Sequence, residues 1–104
     1  MRAGRLDRRV TLQRRVITRP AAGGAIESWT SAFSCWAERR DVRGSERLEA
    51  GAEVATHEAT FRIRWRPGID ATWRLMEGAT GWDIEAVAEL GRRDGLELTC
   101  RRTR

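Results

Sequence analysis

The sequence predicts a mainly β fold: a small barrel or sandwich of about six or seven short strands, with one short helix in a long loop. Three observations carry that expectation. Apolar and polar residues alternate with period two through most of the chain, the pattern of half-buried strands. Glycine and proline clusters interrupt the alternation at short intervals, where they favour turns. One stretch alone, residues 43–56, leaves the alternation.

The first strand is Val10-Thr11-Leu12-Gln13, extended by Val16 and Ile17. Pro20-Ala21-Ala22-Gly23-Gly24 ends it, since proline lacks the N–H and glycine accepts turn geometries. Ile26 to Thr30 reads as a short return strand. Phe33, Cys35 and Ala37 alternate next, and Trp36 falls on the opposite face. The exceptional stretch follows. Gly44-Ser45 reads as a loop ending in a helix N-cap, with Glu46 and Glu49 near the positive end of the helix dipole. Leu48, Ala52 and Ala55 share one face of a helix of about three turns, which is marginal unless docked.

The clearest strand runs from His57 to Arg66. Ala59, Phe61, Ile63 and Trp65 point one way, and Thr60, Arg62, Arg64 and Arg66 the other. Pro67-Gly68 ends it. Trp73 and Leu75 mark another strand. After a turn with Gly78 and Gly81, Trp82, Ile84, Ala86 and Ala88 alternate with Asp83, Glu85 and Val87. Gly91-Arg92-Arg93-Asp94-Gly95 reads as a hairpin loop with a favoured Asp-Gly turn pair. Leu96, Leu98 and Cys100 form the last strand.

The chain of 104 residues fits a single domain, 1–104, with a loop-helix insertion at about 39–56. Hydrophobic residues at 40% exclude the low-hydrophobicity signature of disorder. No apolar run approaches the ~20 residues of a membrane span, and no apolar stretch follows the basic N-terminus as in a secretory signal. The expectation is therefore no membrane and assembly in the cytoplasm. Cys35 and Cys100 have no CxxC spacing and read as small, reduced, buried hydrophobes.

The net charge is +5, and all 20 basic residues are arginine. That bias fits a GC-rich coding sequence, but its distribution is informative. Residues 1–19 hold seven Arg against Asp7, and the last four residues hold three more. The middle carries Glu46, Glu49, Glu53 and Glu58. Basic ends and an acidic middle suit head-to-tail packing of identical subunits or proximity to DNA phosphate.

Little in the chain supports catalysis. His57 is the single histidine, no GxSxG surrounds a serine, and a phosphate loop of the GxxxxGK[ST] type needs a lysine the chain lacks. No cofactor or metal is expected, and the chain is read as a non-enzyme. Five tryptophans mainly fill a small core, but Trp36 is the choice for an interface anchor, because its neighbours already supply the inward face. Arg62, Arg64 and Arg66 place three guanidinium groups on one strand face. They either pair with acids across the sheet or face DNA or a neighbouring subunit.

The ordered segments resemble the phage head–tail joining family, the head-closure or stopper proteins of long-tailed phages. The elements are Gly4-x-Leu6-x-x-Arg9-Val10-x-Leu12-Gln13-Arg14, Glu27-x-Trp29, Cys35-Trp36-Ala37, Gly44-x-Glu46, Phe61-x-Ile63-Arg64-Trp65-Arg66-Pro67-Gly68-Ile69, Gly81-x-Asp83-Ile84 and Leu96-x-Leu98-x-Cys100. The resemblance covers nearly the whole chain. It implies a connector subunit in the neck of a virion or phage-like particle, either a phage, a prophage or a gene transfer agent. Such subunits form a ring of about six or twelve copies, with the adaptor or portal ring above and the tail terminator or tail tube below. The ring retains packaged double-stranded DNA in the channel and offers the docking surface for the tail. The gating or docking loop maps onto Gly44, Glu46, Leu48, Glu49 and Glu53. The family's usual tyrosines are replaced by Trp65 and Trp82. The alternatives are another neck or tail protein of the same particle, or a nucleic-acid-binding barrel of the OB type.

Overall fold

The computed structural model describes residues 5–41, 48–49, 52–53 and 56–103. Its strands are β1 (Arg8–Thr18), β2 (Ile26–Asp41), β3 (Leu48–Glu49), β4 (Ala52–Glu53), β5 (Thr56–Arg64), β6 (Arg74–Glu77), β7 (Thr80–Leu90) and β8 (Gly95–Thr103). Six of them close into an antiparallel barrel in the order β1-β2-β5-β8-β7-β6, and β3 and β4 pair only with each other. Closure pairs each barrel strand on both sides over part of its length, which suits a domain of this size.

Alternation positions the core as the sequence predicts. Val10 and Leu12 of β1, Ala37 of β2, Phe61 and Ile63 of β5, and Leu98 and Cys100 of β8 are all buried. Phe61 meets Trp82 edge to face, with ring centres 5.5 Å apart. This geometry places the positive edge of one ring on the negative face of the other. Both cysteines are free; Cys100 is buried and Cys35 half-buried.

The described residues contain no α-helix. The expected helix is replaced, where the chain is described, by a two-stranded ladder that pairs Leu48 with Glu53 and Glu49 with Ala52. Sequence energetics explain the failure: Gly51 sits within the supposed helix at a cost of about 1 kcal/mol, and so short a helix has little to spare. The proposed cap at Ser45 and its neighbours Gly44 and Glu46 lie outside the described residues.

Other corrections come from strand phase. β2 is one continuous strand of 16 residues, not two. Its register against β1 shifts between Leu12 and Gln13, where Ala32 is the extra residue on β2. A second irregularity lies on β7 between Ile84 and Ala86, opposite consecutive residues Cys100 and Thr99. The extra residue there, Glu85, reverses the facing of everything after it. Val87 therefore packs against the core, while Ala86 and Ala88 are exposed. At the β7–β8 connection Gly95 is not a turn residue but opens β8 and is buried. The reversal is made instead by Gly91 and Arg93, both at positive φ, with the Asp94 N–H donating to the Leu90 carbonyl.

Topology gives the barrel two rims. The lower rim holds the start of β1, the end of β2, the start of β5, the 77–80 turn and the C-terminal end of β8. The upper rim holds the connections 64–74 and 90–95. There β1 and β2 continue as a two-stranded ribbon, because β6 reaches β1 only at Thr11–Gln13.

Candidate functional site

The arginines divide between two environments. Near the lower rim they meet carboxylates. Glu77 at the end of β6 receives Arg39 at 2.7 Å and Arg8 at 3.2 Å. Arg39 also reaches Asp41 at 2.8 Å. Arg5 and Arg40 lie 3.9 and 3.7 Å from Glu38. Arg101 bridges Glu58 at 3.0 Å and Glu85 at 3.4 Å. The guanidinium carbons of Arg39 and Arg102 each lie 5.1 Å from the centre of the buried Trp82 ring. Near the lower mouth of the barrel an aromatic ring thus lies under charged groups.

Near the upper rim, arginines stack on aromatic faces. Arg66 lies 3.8 Å from the centre of Phe33, Arg93 lies 4.9 Å from Trp65, and Arg74 lies 4.4 Å from Trp29. Such stacks occur roughly once per 70–80 residues. Together with the stacks of Arg9 on Trp36 and of Arg39 and Arg102 on Trp82, they give the arginine bias a packing use, because a planar guanidinium covers a ring as an ammonium does not. Phe33 and Trp73 pack with centres 6.5 Å apart beneath this layer. The 64–74 connection is held by Asp70, whose carboxylate accepts from the Thr72 N–H at 2.8 Å and the Thr72 hydroxyl at 2.5 Å. Those bonds hold the Asp70 carboxyl below its ordinary pKa.

The arginines singled out in the sequence separate in space. Arg62 pairs with Glu97 across the β5–β8 ladder, Nη2 to Oε2 at 2.9 Å. Arg64 is exposed at the last position of β5. Arg66 lies beyond the strand, so the three do not form one ladder; its exposed guanidinium caps Phe33. Trp36 is 52% exposed on the outer face of β2, with its register partner Arg9 at 5.2 Å from the ring centre. Leu48 and Glu49 lie in β3 and Glu53 in β4; Gly44 and Glu46 lie outside the described residues.

Sequence reading missed several contributors. Glu77 collects two arginines, Arg93 covers Trp65, and Ile17 and Ile26 are exposed on the ribbon at 48% and 55%. Only the two isoleucines had a visible signal, since each extends an alternating strand beyond the length a small barrel needs. Among the described residues no group of three or more His, Cys, Asp or Glu side chains is arranged to hold a metal ion.

Comparison with known proteins follows this geometry. A family model described as phage head completion protein matches residues 1–103. Head completion protein gp7 of Enterobacteria phage HK97 is 36% identical over 77 residues, which is 72% of this chain and 67% of that protein. A chain of the virion of a native gene transfer agent particle superposes with a TM-score of 0.77 at 30% identity, covering 96% of each chain. The solution structure of protein SF1141 from Shigella flexneri 2a superposes with a TM-score of 0.72 at 27% identity, covering 98% of this chain and 96% of that one.

Proposed function

Because the chain belongs to the phage head completion protein family, we propose that it is a ring-forming connector subunit in the neck of a phage-like particle. It joins the portal or adaptor ring to the tail, retains packaged DNA in the head and presents the surface on which the tail docks. The family is structural rather than enzymatic. The observation that carries this reading is the near-complete correspondence with a chain of a gene transfer agent virion, 96% of each chain at 30% identity.

The mechanism is mechanical and electrostatic. A closed barrel with a packed core is a stiff body, and stiffness suits a ring that bears the pressure of packaged DNA. Its ring comprises about six or twelve copies, between the adaptor above and the tail terminator or tail tube below. The 39–56 insertion, with its glutamates, narrows the channel or meets the tail. Arg64 and Arg66 are the choices for DNA-side or neighbour contacts, because both residues are exposed near the upper rim. Arg62 is less suited, being already tied to Glu97. Trp36 is the choice for an anchor between subunits. Assembly takes place in the bacterial cytoplasm, where both thiols stay reduced.

Electron microscopy of particles from cells lacking the gene tests this reading. Separate tails, and heads that have lost their DNA, are expected. Normally tailed, DNA-filled particles would overturn it.

A further inference from the structure

The β1–β2 ribbon is two strands wide with both edges open. Its register runs from Arg8 opposite Ala37 to Thr18 opposite Ile26. β5 reaches β2 only at Glu38–Asp41, and β6 reaches β1 only at Thr11–Gln13. Among the described residues, then, β2 has no second neighbour from Ile26 to Ala37, and β1 has none from Arg14 to Thr18. Open edges of this length present rows of unpaired N–H and C=O groups, which proteins ordinarily blunt with lysine, proline or a bulge. Neither strand contains proline; the devices present are the bulge at Ala32 and the charges of Arg14, Arg15 and Glu27, which leave the backbone between Ser28 and Ala37 without a charged residue on β2.

Side chains point to the same place. The large hydrophobic residues that stay exposed among the described residues are Ile17, Ile26 and Trp36. All three lie on these two strands: Ile17 beside the open stretch of β1, and Ile26 and Trp36 beside the open stretch of β2. Exposed apolar groups and unpaired backbone thus coincide, although either could have fallen anywhere on the surface.

We infer that the ribbon edges join neighbouring copies, with β2 of one subunit pairing with β1 of the next. This rests on the ring reading above and assigns its lateral contact. Geometry favours a second copy as the occupant. The two open edges lie on opposite sides of one ribbon, so a single repeated contact satisfies both. Subunits that point the same way around an axis present β2 antiparallel to the next β1, the same sense as within the chain. A contact between two different surfaces of one protein is the kind that closes rings. Charge does not oppose the contact: Arg14 and Arg15 lie on β1 and Glu27 on β2, and Arg15 and Glu27 already pair within the chain at 3.5 Å. A two-fold pairing of β2 with β2 would leave the β1 edge and Ile17 uncovered.

Amide hydrogen exchange on purified particles, compared with the isolated chain, tests the contact. Peptides spanning 14–18 and 26–37 are both expected to slow by about tenfold or more in the particle, while those in the core of β8 stay as they are. Ile17→Asp and Ile26→Asp are each expected to keep the barrel's circular dichroism, since both side chains are exposed, and to abolish the ring seen at the head–tail junction. A ring whose 14–18 and 26–37 amides exchange as fast as in the isolated chain would overturn the inference and leave the connector reading standing. Slowing of 26–37 alone would also overturn it, in favour of a symmetric contact or a foreign strand. Particles with no ring of this protein at the junction would overturn both.

Discussion

The guanidinium of Arg39 lies over the ring of Trp82, its central carbon 5.1 Å from the ring centre. The same guanidinium donates to Glu77 at 2.7 Å, so one side chain ties β2 to β6 and closes the lower mouth of the barrel. The Trp82 N–H has no hydrogen-bond partner, so the ring contributes through packing and its π face. Arg39→Ala is expected to cost about 1–3 kcal/mol, from the lost stack and from a half-buried Glu77 left with Arg8 alone. Arg39→Lys should recover only part of this, because an ammonium lacks the planar fork. Trp82→Phe should cost less than Trp82→Ala, for which about 3–5 kcal/mol is expected. Urea midpoints of the four variants check the order.

Burial pushes the Cys100 thiol from its ordinary value near 9 up to about 12, with Glu85 and Asp83 adding to the shift. Above pH 9 the unfolded chain gives up this proton while the folded chain keeps it. Folding stability therefore falls with rising pH between about 9 and 12, by up to about 1.4 kcal/mol per pH unit. Cys100→Ala should be less stable at pH 7 but lose this part of the alkaline slope. Denaturant titrations of both proteins at pH 7 and pH 10 measure it. Native Cys100 should also resist alkylation at pH 8 and label fully once the chain is unfolded.

The bulge at Glu85 makes two adjacent residues respond oppositely to the same change. Val87 packs against the core, whereas Ala88 is exposed. Val87→Asp is expected to cost about 2 kcal/mol or more, since it brings a carboxylate against apolar neighbours. Ala88→Asp should stay within about 0.5 kcal/mol of the parent. Uninterrupted alternation from Trp82 predicts the reverse order, so thermal midpoints of the two variants decide between them.

That pair shows where the sequence was legible. Strands such as β5 could be read because Ala59, Phe61 and Ile63 alternate cleanly with polar residues, although the strand ends at Arg64 and not at Pro67-Gly68. A bulge leaves no such mark: inserting Glu85 or Ala32 shifts the phase without changing the residue types nearby. The helix expected within 43–56 was misread at Leu48–Glu49 and Ala52–Glu53, because Leu48 and Ala52 fit helical spacing as well as they fit two short paired strands. Contacts at the candidate surfaces were less legible still. Phe33 meets Arg66, and Glu77 meets Arg8 and Arg39, only through barrel closure, which brings residues 33 to 69 positions apart into contact. Trp36 was legible because its exposure follows from strand parity alone.

Arg64 and Arg66 separate packing from DNA retention. Arg66 covers Phe33 at 3.8 Å, so Arg66→Ala is expected to destabilise the isolated chain by about 0.5–1 kcal/mol whatever the residue does in the particle. Arg64 is exposed at the end of β5, and Arg64→Ala should leave stability within about 0.5 kcal/mol. A role on the DNA side predicts that Arg64→Ala particles, assembled normally, retain less nuclease-protected DNA, and that the deficit grows with salt because the remaining phosphate contacts are screened. Unchanged DNA content across salt would confine these arginines to contacts between subunits, where Arg64→Glu should then reduce the yield of tailed particles.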